Sequence, residues 1–245
     1  MPRTGAAALP HAVCRCCGGA GCACQPSVDA MAARGIPGQI TLGSAAFGTT
    51  AIRNLQFPLA VRVDVESGAC ELSMRGFTRT VRHGEARLIP ALEEVSLTLL
   101  RQARLTLTML PECGLEPGRE HCRPAPDDPR KRRPATAGLS LAVFAAPQLD
   151  WGLSSAAACL GKLDGRSLSR KLLQECSSLR QLVKTQRLAR FLFDLMASAR
   201  PASAASYGFT DHCRLENAVY DQFGMSISAL SRLSRSRPGM PQKAG

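Results

Sequence analysis

The sequence predicts an α+β chain, strand-rich in its first half and helical after Gly138. Three observations predict it. From about Gln39 to Leu110, apolar and polar residues alternate with period two in short runs between turn residues. After Gly138 the apolar residues recur at helical spacing instead. Between these parts, residues 112–137 hold five prolines and mixed charges without apolar periodicity, which is linker composition.

Residues 1–30 hold mainly Ala, Gly, Pro, Arg and Cys, and read as a tail or as an extension upstream of a start at Met31. Cys14, Cys16, Cys17, Cys22 and Cys24 lie beside His11, but their order lacks the two CxxC-like pairs of a zinc site. A metal or redox site is the alternative there. Pro10 and His11 interrupt the only early apolar run, so no signal peptide is expected, and no segment is long and apolar enough for a membrane span. Cys159 and Cys176 fall on apolar positions of helical patterns, as small buried thiols in a reducing cytoplasm do. The expectation is a soluble cytoplasmic bacterial protein.

The strand region, residues 31–111, is expected to form a small antiparallel sandwich or barrel with a regulatory or dimerising role. Its runs are Leu59 to Val65, Glu71 to Met74, Thr78 to Arg82, Ala86 to Ile89, Val95 to Leu100 and Arg104 to Met109. Ser67-Gly68, Gly76, His83-Gly84 and Pro90 punctuate them. No pair of carboxylates or histidine cluster in it reads as catalytic. In the linker, Arg130-Lys131-Arg132-Arg133 reads as a solvated tether, with phosphate contact as the alternative.

The helical region, residues 138–235, opens with Leu139 to Phe144, ended by Pro147. Ser154 to Leu160 is small and apolar, with Ser154 as its cap. Asp164 caps the next helix, where Leu168, Leu172 and Leu173 form the apolar stripe and Arg166, Ser167, Ser169 and Arg170 lie off it. From Ser178 to Ser198, seven apolar residues from Leu179 to Leu195 recur at helical spacing, until Arg200-Pro201 breaks the run. Ala202 to Ser206 makes a short helix, and Asp211 to Phe223 a longer one that Gly224 stops. Residues 236–245 are expected to be a disordered tail.

These elements repeat. A short small-residue helix, a turn and an amphipathic helix occur at 154–176 and again at 202–223, separated by the helix of 178–198. That is the helix-turn-helix arrangement, twice. A spacer of 21 residues spans about 30 Å at roughly 1.5 Å per residue, close to the ~34 Å between major-groove faces on one side of a duplex. Charge agrees: the chain carries 31 Lys and Arg against 19 Asp and Glu, net +12, and residues 138–245 hold 14 basic against 7 acidic side chains. Such an excess attracts nucleic acid.

From about Leu139 to Leu233 the chain resembles the AraC/XylS family of bacterial regulators. The stretch SLSRKLLQECSSLRQLVKTQRLARFLFDL carries the resemblance through Leu168, Arg170, Leu172, Leu179 and Arg187-Leu188-Ala189. In the second half Gly208-Phe209, Asp211, Leu215 and Phe223-Gly224-Met225-Ser226 carry it. The resemblance implies a cupin-like β domain, an all-α domain with two helix-turn-helix units joined by a long linker helix, and base-reading positions. These fall on Arg166, Ser167, Ser169 and Arg170, then on His212, Cys213, Arg214 and Asn217. The second set departs from the family: Asn217 stands for Arg, Val219 for an aromatic, Tyr220-Asp221 for basic residues and Ile227 for Pro.

The implied function is transcription activation, with promoter DNA and RNA polymerase as partners and a possible homodimer. The divergent second half is also similar to the InvF-like regulators of type III secretion, which implies virulence genes and a secretion chaperone as coactivator. A protein-interaction module with secondary DNA binding is the alternative. No enzyme activity, metal or cofactor is expected: His212 and Cys213 are adjacent, and successive helix residues face about 100° apart.

Overall fold

The computed structural model describes residues 36–44, 48–110, 134–161, 163–198 and 202–235. The cysteine cluster, the tails and the basic run of the linker lie outside the described residues. Eight strands form first: β1 (Gln39–Gly43), β2 (Thr50–Gln56), β3 (Val61–Ser67), β4 (Ala69–Met74), β5 (Phe77–Arg82), β6 (Ala86–Ile89), β7 (Glu94–Leu99) and β8 (Arg104–Met109). They make two antiparallel sheets, ordered β1-β8-β3-β6 and β2-β7-β4-β5. Period-two alternation is the cause. In β3, Val61, Val63 and Val65 all turn inward, and Val63 pairs with Leu107 of β8. Across the sandwich Leu97 of β7 pairs with both Ile52 and Leu72.

The runs at 86–89 and 104–109 coincide with strands, and the others shift by one to two residues. Leu59 is buried but sits in a bend after Pro58, so the strand starts only at Val61. β1 and β2 complete the sheets. In β2 the pairing with β7 slips between Ile52 and Leu55, and Asn54 there has a φ of +50°. This bulge frees the Asn54 carbonyl from the ladder.

Among the described residues six helices follow: α1 (Ala135–Ala145), α2 (Leu153–Cys159), α3 (Gly165–Gln174), α4 (Leu179–Ala197), α5 (His212–Phe223) and α6 (Ile227–Arg235), with a 3-10 turn at Ala204–Tyr207. Some local expectations are corrected. α1 begins at Ala135, inside the expected linker, because two carboxylate oxygens of Glu175 accept the Ala135 and Thr136 N–H groups, each at 2.8 Å. α2 is entered through Gly152, and the neighbouring hydroxyl of Ser155 turns back to the carbonyls of Asp150 and Gly152, so Ser154 is no cap. The helix expected at 202–206 is one tight turn, closed by Gly208 at a φ of +72°. Cys159 and Cys176 are exposed, so neither is a core thiol.

The apolar interior does not divide at the linker. α1, α2, α3 and the start of α4 enclose a core of their own: Leu139, Val143, Leu168, Leu172, Leu182 and Val183. The rest of α4, with α5 and α6, shares one core with the sandwich. Phe193 of α4 marks the junction. Its ring meets Phe57 and Phe144 edge-on, both at 5.8 Å. Each such pair contributes about 0.5–1.5 kcal/mol beyond its buried area. Thus the second helical unit is built onto the sandwich, and the first hangs from it through α1 and α4.

Candidate nucleic-acid interface

Two helices with the same entry geometry carry all the expected reading residues. At α3, Asp164 Oδ1 accepts the Ser167 N–H at 2.8 Å; at α5, Asp211 Oδ1 accepts the Arg214 N–H at 2.8 Å. Each caps one of the free N–H groups at a helix start. These bonds hold both carboxyls below the usual carboxylate range: the Ser167 backbone and then its hydroxyl at Asp164, the Arg214 backbone and then the Thr210 hydroxyl at Asp211.

On α3, Leu168 and Leu172 are buried and fix the helix, while Arg166, Ser169 and Arg170 are exposed. Arg166 and Arg170 are one turn apart and share a face. Ser167 differs. Its hydroxyl donates to Asp164 Oδ2 at 2.8 Å and its N–H to Oδ1, so its polar groups serve the cap. Leu173 does not complete the apolar stripe: it is 75% exposed. At 100° per residue it lies about 60° from Arg170 and one turn on from Ser169. An exposed leucine beside Ser169 and Arg170 is suited to thymine methyls. Sequence reading missed it because an i, i+5 position sits at the rim of a helical stripe, where either side is allowed.

On α5, Leu215, Ala218, Val219 and Phe223 are buried, and His212, Cys213, Arg214 and Asn217 are exposed with Tyr220. Two of these have local partners. Arg214 Nε lies 3.6 Å from Asp211, and His212 Nε2 lies 3.9 Å from Glu216. Glu216 also accepts the Ile227 N–H at 3.0 Å, so it caps α6 as Glu175 caps α1. Asp221 sits 3.8 Å from Lys184 of α4. At the far end, Gln222 Nε2 donates to the freed Asn54 carbonyl at 2.8 Å, which pins α5 to β2.

α4 holds the two units together. Its Arg187 donates from Nε to the Pro147 carbonyl at 2.8 Å, from Nη2 to Leu149 at 2.8 Å and from Nη1 to Gly208 at 3.2 Å. The first two acceptors follow α1 and the third belongs to the second unit. Farther along, Asp194 receives Arg190 at 2.9 Å and the buried Tyr207 hydroxyl at 3.0 Å. Burial, then the Asp194 charge, pushes the tyrosine upward, so it stays a donor. Between the units lies an open groove of about 670 Å³. Trp151, Leu153, Val183 and Phe209 give it an apolar floor, and Arg180 and Arg214 are among its cations. Arg180 was not among the residues picked out from the sequence; only its polar position on the linker helix could have pointed to it.

One carboxylate at each helix start, spent on capping, leaves cationic and small polar groups on the outer faces. That chemistry suits phosphate oxygens and base edges. Among the described residues no group of His, Cys, Asp and Glu could hold a metal ion. None of the helices there is long and apolar enough to cross a membrane.

Comparison with solved structures shows the same architecture elsewhere. ToxT from Vibrio cholerae O395 superposes with a TM-score of 0.59 over 81% of this chain and 98% of that one, at 12% identity. The fold is similar to that of ToxT. A second ToxT crystal form, solved at 1.65 Å, gives 0.57 over 80% of this chain at 12% identity. Unsaturated fatty acid bound wild-type ToxT from strain SCE256 gives 0.55 over 80% of this chain at 10% identity. No family model and no curated protein matches the chain. The likeness covers both halves, so the cupin-like sandwich and the two helical units stand in the arrangement expected from the sequence.

Proposed function

We propose that this chain is a sequence-specific DNA-binding transcription regulator of the AraC/XylS type, an activator that sets α3 and α5 into successive major grooves of promoter DNA. One observation carries the reading. Two identically capped helices, each with an exposed polar face, are joined through a 19-residue α4 whose Arg187 binds both units. That α4 spans about 28 Å at roughly 1.5 Å per residue. Arg166 and Arg170 are the principal readers, with Arg170 suited to the O6/N7 edge of guanine. Ser169 and Leu173 lie beside them. On α5, His212, Cys213, Arg214 and Asn217 are available, but Arg214 and His212 already have acidic neighbours, so this helix positions more than it reads.

Fluorescence anisotropy with promoter fragments across a salt series tests the proposal. The expectation is a specific complex at least ~10³-fold tighter than random DNA, weakening with salt as phosphate contacts release counterions. Equal affinity for all sequences sinks it.

The finer reading has three further partners: RNA polymerase, a second copy of the chain, and a type III secretion chaperone as coactivator. It rests on the divergence of the second unit, whose Asp221 and Gln222 face Lys184 and the sandwich instead of DNA. The same observation favours the second reading, a protein-interaction module in which DNA binding is secondary. Promoter activity measured with and without such a chaperone separates them. Dependence on the chaperone with unchanged DNA affinity supports the coactivator.

A further inference from the structure

β5 is an edge strand, and among the described residues no strand pairs with its outer side. It ends the order β2-β7-β4-β5, and of its six residues only Val81 is buried. The register with β4 explains the surface. Phe77, Arg79 and Val81 pair with Met74, Leu72 and Cys70, so all three lie on the inward face of the sheet. The facing edge strand β6 has only four residues, and it pairs Ile89 and Arg87 with the inward Val61 and Val63. Phe77 is left 80% exposed, and Arg79 and Arg87 are exposed on what would be core positions.

The backbone of this edge is open too. His83 N–H donates to Gly68 at 3.0 Å, and bonding alternates along an antiparallel ladder. Val81, Arg79 and Phe77 therefore bond to β4, Thr78 and Thr80 present N–H and C=O outward, and Arg82 turns both groups to Glu85, whose N–H donates to the Arg82 carbonyl at 2.9 Å. The Arg82 N–H is taken by the Glu85 carboxylate at 3.2 Å. Among the described residues, Arg79, Arg82 and Arg87 make no ion pair, whereas Arg62, Arg75 and Arg104 of the same sandwich all do. The Thr78 hydroxyl is within 2.8 Å of Ser73, and Glu71 lies opposite Thr80 on the outer face.

We propose that β5 is the docking edge for an extended acidic segment of a partner protein, added as a further strand along Thr78 to Thr80. Charges on an edge normally keep other strands away, and three unpaired arginines do repel a second copy of this same edge. They attract a strand carrying carboxylates. An almost fully exposed Phe77 has no place in a merely protected edge, and it offers the apolar contact that alternate side chains of an added strand use. The occupant is thus an acidic peptide and not another molecule of this chain. The proposal stands apart from DNA binding.

The test uses the full chain and a fluorescein-labelled ten-residue peptide of alternating Glu and Val, with a Lys-Val peptide as control. Hydrogen exchange of the free protein comes first. Fast exchange at Thr78 and Thr80 is expected, and slow exchange there overturns the proposal because the edge is then occupied by the chain or its copy. Adding the Glu-Val peptide should slow both amides at least tenfold, and the Lys-Val peptide should not. Thr80→Pro removes an outward N–H, and Arg79→Glu with Arg82→Glu keeps the backbone while reversing the charge. Each should weaken peptide binding at least tenfold, with circular dichroism unchanged in the charge variant. No binding, binding unaltered in the charge variant, or protection elsewhere on the molecule each overturns the docking edge.

Discussion

Arg187 and Gly208 are fitted to each other. The arginine Nη1 donates to the Gly208 carbonyl at 3.2 Å, and a Cβ placed on Gly208 would lie 2.4 Å from the guanidinium carbon. With a φ of +72°, Gly208 also holds a left-handed conformation. The same guanidinium binds Pro147 and Leu149, so one side chain sets both helical units against α4.

Gly208→Ala is therefore expected to destabilise by more than the ~1–2 kcal/mol of a left-handed alanine, because Arg187 must also leave its carbonyls. Arg187→Ala leaves three acceptors without their donor, at about 1–3 kcal/mol for a buried one. Urea unfolding checks both. If the two variants combined cost the sum of the singles, the residues are uncoupled.

Glu175 joins α3 to α1 through two amide hydrogen bonds. Glu175→Ala should lower stability by about 1 kcal/mol, the size of a lost helix cap, and raise amide exchange at Ala135 and Thr136. Unchanged exchange at these two amides would show that water replaces the carboxylate without loss.

The caps of α3 and α5 predict a pH dependence. Asp164 and Asp211 have folded pKa values below the usual carboxylate value of about 3.9. Their contribution is therefore complete above that value and is lost as pH falls through the depressed folded values. Asn at both positions accepts the same N–H bonds without titrating. Thermal melts below about pH 4 should show a flatter decline for the Asp164→Asn, Asp211→Asn variant than for the parent. Parallel curves contradict the capping role.

The shared core predicts coupled unfolding of the sandwich and the second helical unit. Phe193→Ala should cost about 3–5 kcal/mol, and a double-mutant cycle with Phe57→Ala should give a coupling of about 0.5–1.5 kcal/mol. Loss of α5 and α6 before the sandwich, followed by exchange, would contradict a single core.

Periodicity made much of this legible. Alternation in β3 and β8, and the helical spacing of Leu182, Leu188 and Leu192, reflect burial, which sequence pattern reports directly. The cap Asp164 was also readable, because a short polar side chain often opens a helix, whereas Ser178 and Asp211 marked only where helices begin. Other features depend on distant partners. Glu175 lies 40 residues from the amide it caps, and Gln222 lies 168 residues from the carbonyl it meets. Nothing in local spacing reports such pairs. Leu173 and Cys176 are exposed, and Cys176 also has a φ of +52°. In the candidate interface, Ser167 bonds to the capping Asp164, while Arg166, Ser169 and Arg170 are exposed.

Arg170→Ala should cost ~1–3 kcal/mol at one base pair and relax specificity there, whereas Arg180→Ala in the groove should weaken all sequences alike and lower the salt slope by about one. Affinity profiles on single-base variants of one site separate the two. If Arg170→Ala weakens every sequence equally, it only holds phosphate.

Selection of bound duplexes from a randomised pool, by the parent and by an Arg166→Ala, Arg170→Ala variant, tests the DNA-reading claim most directly. The expected result is two enriched segments about one helical turn, ~10 base pairs, apart. The information in the segment read by α3 should collapse in the variant, and the other segment should persist more weakly. A pool without enrichment, or the same motif from both proteins, would contradict recognition by α3.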